Sequence, residues 1–165
     1  NGAIMLETKP GIGTTFKVFF PAAPEKQVDC RQRPTKRPEM PQSKQGTILV
    51  IDDEIAVRNL TEKVLTRQGY SVLLAEDGIQ GTALFEEHAD NIVCVLLDLT
   101  MPRMGGEACF DQLQSIRANI PVLLSSGYSE QTAIKQFSGK HIAGFIQKPY
   151  QPMKLVAKIR ECIES

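Results

Sequence analysis

The stretch VLLDLTMPRMGG at residues 95–106 carries an apolar run that ends abruptly at one carboxylate, Asp98. A Met-Pro pair and two glycines follow the aspartate, which is a composition typical of a loop. A short apolar run bounded by turn residues predicts a buried strand. A buried charge requires a partner or a metal ion, so another part of the chain must supply one close to Asp98.

Similar strand-like runs precede and follow this stretch, and amphipathic segments separate them. In the first of these segments Val57, Leu60, Val64 and Leu65 recur at helical spacing, which predicts one apolar helix face. The runs are TILVI (47–51), SVLLA (71–75), IVCVLL (92–97), PVLLS (121–125) and IAGFI (142–146). Apolar runs without alternation are typical of strands that are buried on both faces. Strands that alternate with helices require crossover connections and hence a parallel sheet. The sequence therefore predicts an α/β fold with three layers, α/β/α.

The overall composition excludes several classes of protein. Hydrophobic residues make up 42% of the 165 residues, which permits a substantial core. No apolar run approaches the roughly 20 residues of a membrane span, so we expect no membrane contact by this fragment and a cytoplasmic location. The chain begins at Asn1 rather than Met, which suggests a piece of a longer protein and leaves a membrane anchor in that parent open. The four cysteines form no C-x-x-C motif and are expected to be reduced.

Composition divides the chain into three regions. Residues 1–20 predict two short strands around a glycine-rich turn. Residues 21–45 contain five prolines among scattered charges and are interpreted as a flexible linker. Residues 1–45 hold eight basic and four acidic residues. We interpret this excess as a solvated linker and expect no nucleic-acid partner. Residues 46–165 contain the α/β domain.

Polar residues follow four of the predicted strands: Asp52 and Asp53, then Asp98, then Ser126, then Lys148. The carboxyl ends of parallel strands lie along one edge of a sheet, where ligands bind. Clustered carboxylates repel one another, and oxygen ligands favour a hard cation such as Mg²⁺. A lysine and a hydroxyl beside that cation suit a phosphoryl group. The pattern predicts a site that accepts a phosphoryl group.

The segments ILVIDDE (48–54), LLDLTMPRMGG (96–106), PVLLSSGY (121–128) and GFIQKPY (144–150) resemble the signature segments of the response-regulator receiver domain. The resemblance covers residues 46–165 with all four segments in the family's order. It implies a flavodoxin-like, five-stranded parallel sheet with strand order 2-1-3-4-5. It also implies a two-component phosphorelay in which a phosphohistidine-bearing kinase or a histidine phosphotransfer domain is the partner.

The resemblance assigns a role to individual residues. Asp98 is expected to be the phosphoacceptor, with Lys148 and Ser126 contacting the phosphoryl group. Mg²⁺ is expected on the carboxylates of Asp53 and Asp98 and the backbone carbonyl of Thr100, with Asp52 binding through water. Ser126 and Phe145 are expected to form a switch in which the ring turns inward, and Pro149 is expected to follow a cis peptide bond. Tyr128 is expected to screen the phosphoryl group from water. No site for an organic cofactor is expected.

The segment GAIMLETKPGIGTTFKVFFP (2–21) resembles the C-terminal end of the histidine-kinase ATP-binding domain. The parts of that domain that hold Mg²⁺-ATP are missing, so residues 1–20 are interpreted as a remnant and the fragment as no kinase by itself. A kinase remnant, a linker and a receiver together imply the C-terminal part of a hybrid sensor histidine kinase. The receiver would catalyse its own phosphorylation and dephosphorylation.

Other interpretations remain open for each residue and for the whole site. Asp52 and Asp53 are also typical helix caps, Ser126 a turn hydroxyl, and Lys148 a solvated lysine. One alternative function is a receiver-like interaction module that is never phosphorylated. Another is a phosphatase with an aspartate nucleophile of the haloacid-dehalogenase type, although that family has a second aspartate two residues on, where this chain has Thr100.

Overall fold

The computed structural model describes residues 3–9, 11, 13–19, 45–137 and 139–164. The chain divides into two compact units, Asn1–Arg37 and Pro38–Ser165. The predicted linker at 21–45 lies outside the described residues apart from Gln45. The predicted domain boundaries at residues 20 and 45 therefore stay predictions.

The first unit contains an antiparallel hairpin, as the glycine-rich pattern predicts. Strand β1 (Ala3–Lys9) pairs with β2 (Gly13–Phe19), with Ala3 opposite Phe19 and Lys9 opposite Gly13. Gly11 has a φ of 76°, a left-handed conformation that glycine adopts without strain. The side chains on both faces of the hairpin are exposed.

The second unit alternates strands and helices. Its strands are β3 (Thr47–Ile51), β4 (Ser71–Ala75), β5 (Ile92–Asp98), β6 (Val122–Ser126) and β7 (Gly144–Gln147). Its helices are α1 (Ile55–Arg67), α2 (Gly78–His88), α3 (Gly106–Ile116), α4 (Glu130–Gln136) and α5 (Pro152–Glu164). The strands form one parallel sheet in the order β4-β3-β5-β6-β7. Numbered within this unit, that order is 2-1-3-4-5, so the predicted fold is confirmed.

Two apolar clusters cover the two faces of the sheet. Successive strand residues point to opposite faces, so Leu49 and Ile51 belong to one cluster and Ile48 and Val50 to the other. Helices α2, α3 and α4 pack on the first face, and α1 and α5 pack on the second. This three-layer arrangement buries the sheet and leaves the loops at its carboxyl edge free to form a site.

The helix faces differ in places from the predicted apolar pattern. Leu60 lies at helical spacing with the other apolar residues of α1 but is 48% exposed, whereas Thr61 is fully buried. The described cysteines, at positions 94, 109 and 162, are buried free thiols, as expected for small apolar side chains. Across the described residues, every helix is too short or too polar to cross a bilayer.

Candidate active site

Three carboxylates meet at the carboxyl edge of the sheet. Asp52 and Asp53 follow β3, and Asp98 is the last residue of β5. One oxygen of each lies within 4.8 Å of the others, and within the described residues this is the group of acidic side chains that could hold a metal. Asp52 and Asp98 are 2% and 4% exposed, while Asp53 faces solvent. The parallel sheet therefore brings distant acidic residues together as the sequence predicted.

Lys148 supplies the counter-charge that a buried Asp98 requires. Its Nζ lies 2.8 Å from Asp52 Oδ2, 2.8 Å from Asp98 Oδ2 and 3.3 Å from Glu54 Oε1. The side chain is 14% exposed, so these contacts are only partly screened by water. The lysine follows β7, its backbone N–H donates to the Ser126 carbonyl at 2.7 Å, and the Lys148–Pro149 bond is cis as expected.

The charges shift the pKa values of this pair. Burial disfavours the ammonium form of Lys148, but its hydrogen bonds to Asp52 and Asp98 outweigh burial and raise the pKa above the ordinary lysine value. Burial raises the pKa of Asp52, and the hydrogen bond from Lys148 offsets this rise only in part. The lysine therefore carries its charge at neutral pH and holds a fixed positive charge beside Asp98.

Both oxygens of Asp98 accept hydrogen bonds. Oδ2 accepts from Lys148, and Oδ1 accepts from the backbone N–H of Thr100 at 3.2 Å. Gly106, the first residue of α3, donates its N–H to the Leu99 carbonyl at 3.2 Å and closes the loop. A β-carbon at Gly106 would lie only 2.6 Å from the Asp98 carbonyl oxygen. The carboxylate is therefore held from two sides, and the close approach requires glycine at this position.

The helix-capping alternative accounts for only part of the Asp52 geometry. Asp52 Oδ1 accepts the Glu54 N–H at 3.0 Å, a local turn at the start of α1. Oδ2 faces Lys148 instead, and Arg58 donates to the Asp52 carbonyl at 2.5 Å. Asp52 thus joins the first turn of α1 to the charge cluster.

Ser126 and Phe145 lie beneath the site rather than on its surface. Ser126 is fully buried, and its Oγ accepts the Tyr128 N–H at 3.1 Å. Phe145 is 8% exposed and packs in the cluster that includes Leu97, Leu124 and Phe137. The Phe145 side chain is thus already buried, and the predicted turn of its ring stays a prediction about a rearrangement within this cluster.

An open cavity of about 690 Å³ adjoins the carboxylates. Its lining includes the polar residues Asp53, Asp98, Thr100 and Lys148. It also includes the apolar and aromatic residues Val57, Leu60, Tyr128 and Tyr150. The cavity thus brings charged side chains and apolar side chains together around one space.

The sequence of residues 48–160 matches the family described as the response regulator receiver domain. This match covers well over half of the chain. The chain belongs to this family. The receiver fold and the acidic pocket that were predicted from the four signature segments are therefore confirmed.

Individual receiver relatives give the scale of the similarity. The sensor kinase CckA of Brucella abortus (strain 2308) is 29% identical over 169 residues, which cover 99% of this chain but only 18% of that protein. The solved receiver domain of a hybrid histidine kinase CckA is 29% identical, with a TM-score of 0.61, and covers 72% of this chain and 99% of that one. CheY in the CheX-CheY-BeF3-Mg²⁺ complex from Borrelia burgdorferi is 28% identical, with a TM-score of 0.61 and coverages of 69% and 86%.

Three charged residues around this receiver site were missing from the predicted set: Glu54, Arg58 and Arg103. Glu54 directly follows the acidic pair and could have been included on that basis. Arg58 lies one helical turn after Glu54, and only the packing of α1 shows that it reaches the Asp52 carbonyl. Arg103 contacts residues 26 and 27 positions earlier in the chain, a pairing that no local pattern indicates.

Proposed function

We propose that this receiver accepts a phosphoryl group from phosphohistidine on Asp98. The observation that carries the proposal is the buried Asp98 carboxylate that lines an open cavity, with a lysine ammonium 2.8 Å away and two further aspartates within 4.8 Å. An oxygen of Asp98 forms the new O–P bond while the P–N bond to imidazole breaks and the electron pair stays on the ring nitrogen. Lys148 neutralises charge on the phosphoryl oxygens as they approach.

The donor set fits Mg²⁺. The ion takes oxygen ligands at about 2.1 Å, which places neighbouring ligand atoms roughly 3–4 Å apart, and the three carboxylates lie within 4.8 Å of one another. Asp53 and Asp98 would bind the ion by carboxylate, Thr100 by its backbone carbonyl, and Asp52 through water. When bound, the ion neutralises the charge that accumulates between carboxylate and phosphoryl group. The Borrelia burgdorferi CheY complex contains Mg²⁺, which supports this assignment.

Ser126 and Phe145 are proposed to transmit the modification. A phosphoryl group on Asp98 adds charge and acceptor oxygens. The Ser126 oxygen accepts from the Tyr128 N–H, and we propose that the side chain moves toward Asp98 so that its hydroxyl hydrogen is donated to one of these oxygens. Because Phe145 packs beside the end of β6, this movement would rearrange the cluster around Phe145 and Phe137.

A set of exposed apolar side chains on α1, on α5 and in the loop after β6 is proposed to receive the histidine-bearing partner. Ile55, Leu60, Tyr128 and Met153 are 66%, 48%, 61% and 75% exposed, a high exposure for apolar side chains. Leu60 and Tyr128 line the same cavity as Asp98. A helical partner that covers these side chains would carry an imidazole into the cavity, toward Asp98.

The similarity to CckA extends over nearly the whole chain but covers less than a fifth of that protein. We infer that this chain comes from the C-terminal part of a hybrid sensor histidine kinase, with residues 1–20 as the end of its ATP-binding domain. The hairpin formed by β1 and β2 is compatible with two strands taken from a larger sheet, since both of its faces are exposed.

The phosphoacceptor role is tested by intact mass after incubation with Mg²⁺ and acetyl phosphate. We expect one acid-stable, base-labile phosphoryl adduct on the full chain, and its complete loss in Asp98→Asn. The matched control Asp90→Asn changes an exposed aspartate outside the site and should retain the adduct. An adduct that persists in Asp98→Asn contradicts the assignment. An unmodified wild-type chain supports the interaction module, and continuous phosphate release from diverse esters supports the phosphatase.

Tyr128→Ala is expected to shorten the lifetime of the phosphoryl group. Tyr128 lines the same cavity as Asp98. If its ring screens the phosphoryl group from water, as we propose, its removal should speed dephosphorylation by at least about twofold. The measurement is loss of the mass adduct with time after removal of the donor. Tyr128→Phe keeps the ring and should match the wild-type rate. An unchanged rate in the alanine variant would show that the ring screens nothing.

A further inference from the structure

The loop between β5 and α3 contains a residue in an unusual backbone conformation. Arg103 has a φ of 65°, in the left-handed region that costs a non-glycine residue about 1 kcal/mol. Its guanidinium NH2 group pairs with Glu76 Oε1 at 3.1 Å and with Asp77 Oδ2. Both carboxylates lie in the turn between β4 and α2, so the side chain connects two loops of the same sheet edge.

The burial of the Asp77 carboxylate depends on its ion pair with Arg103. Asp77 is 2% exposed and is the N-cap of α2, where Oδ1 accepts the Gln80 N–H at 2.7 Å. Its other oxygen, Oδ2, faces Arg103. A buried carboxylate without a cation is costly, so the pair resists separation. Glu76 is 59% exposed, and its contact with Arg103 contributes little.

The residue after Arg103 attaches the loop to the same helix start. Met104 packs against Gly78, where a β-carbon would lie 2.7 Å from the Met104 Cγ. The loop is thus attached to α2 by an ion pair and an apolar contact at consecutive positions. Thr100, three residues before Arg103, donates to Asp98 and lines the cavity. The path of the backbone from Asp98 to Gly106 therefore depends on where Arg103 is held.

We propose that Arg103 is a positioning residue for the receiver site: its ion pair with Asp77 holds the loop so that the Thr100 carbonyl and the Asp98 carboxylate face one Mg²⁺ and one phosphoryl group. This inference rests on the proposed function. Arg103 touches neither ligand. Its left-handed backbone directs the side chain toward α2, and the charge of Asp77 keeps it there.

The test measures Mg²⁺ affinity by isothermal titration calorimetry on the full chain, without a phosphodonor. Arg103→Gly suits the left-handed backbone and removes only the side chain, so its loss of affinity reports the ion pair rather than strain. We expect roughly tenfold weaker Mg²⁺ binding, the scale on which outer groups tune a metal site. Asp77→Asn keeps the N-cap oxygen and should show the same loss. Arg103→Lys should recover part of the affinity.

The double variant Arg103→Gly/Asp77→Asn is expected to bind Mg²⁺ no more weakly than either single variant. Each substitution alone already removes the same ion pair, so the second adds no further loss. Glu76→Gln is the matched control and should bind as the wild type does. Wild-type affinity in Arg103→Gly would overturn the positioning role, provided that Asp53→Asn abolishes binding. Failure of the wild-type chain to bind Mg²⁺ would overturn the proposed metal site instead, so the two failures are distinguishable.

Discussion

Gly106→Ala is expected to destabilise the receiver by about 2–4 kcal/mol and to disrupt phosphorylation of Asp98. The added β-carbon would lie 2.6 Å from the Asp98 carbonyl oxygen and 2.7 Å from the Leu99 Cα. Both are backbone atoms at the end of β5, and neither can rotate away as a flexible side chain could. Either α3 must move off the sheet, which shifts the loop that contains Thr100, or the backbone of Asp98 must shift relative to Lys148.

The matched control is Gly105→Ala, one residue earlier. Gly105 is the N-cap of α3 with a φ of −70°, and no atom lies within 4 Å of a β-carbon built there. The expected cost is at most about 1 kcal/mol, since alanine is only a poorer N-cap than glycine. Urea unfolding followed by far-UV circular dichroism compares the two variants. Equal stability losses would show that the close approach to Asp98 does not constrain position 106.

Lys148→Met is expected to destabilise the metal-free chain by about 3 kcal/mol, because it removes one partner of a buried charge cluster. Asp52 and Asp98, which are 2% and 4% exposed, would face each other and Asp53 without the lysine ammonium that now contacts both buried carboxylates. Added Mg²⁺ should then stabilise the variant more than the wild type, since the ion takes over the neutralising charge. The phosphoryl adduct should form far more slowly, because no ammonium meets the phosphoryl oxygens.

Lys158→Met provides the control for removal of a lysine ion pair. Lys158 contacts Glu161 on the surface of α5, with side chains 36% and 64% exposed. The expected change in unfolding free energy is within about 0.5 kcal/mol, and Mg²⁺ should stabilise this variant and the wild type equally. Thermal melts with and without Mg²⁺ measure both effects. An unchanged metal-free stability of Lys148→Met would contradict the compensating role of the lysine.

The local pattern predicted the regular elements closely where strands are buried on both faces. TILVI and SVLLA coincide with β3 and β4, and the run before Asp98 coincides with β5 apart from the aspartate itself. The last strand begins at Gly144 rather than Ile142, because pairing with β6 starts at Leu123 opposite Gly144. The first and last residues of a strand depend on its pairing with the neighbouring strand, and the sequence of the segment itself does not indicate them.

In the helices too, the pattern within a segment predicted the element, and the packing partner decided a detail that the pattern could not. Spacing placed Leu60 on an apolar face of α1, but α1 packs on the sheet through Thr61 and Leu65 and leaves Leu60 beside the cavity. Helical spacing gives the period of a helix, and the packing partner selects which side of the helix is buried. The exposed side chain is the one that the proposed partner surface uses.

The sequence alone determined the alternation of strands and helices and the residue types at the strand ends, because burial on both faces and turn chemistry are local properties of a segment. The convergence of Asp52, Asp98 and Lys148 could be predicted for the same reason, since parallel strands share one carboxyl edge. Only the tertiary structure decided that Leu60 is exposed beside the cavity and that Arg103 reaches Asp77. These features depend on how helices and loops that are far apart in the sequence pack against one another. No period or motif within a single segment indicates that packing.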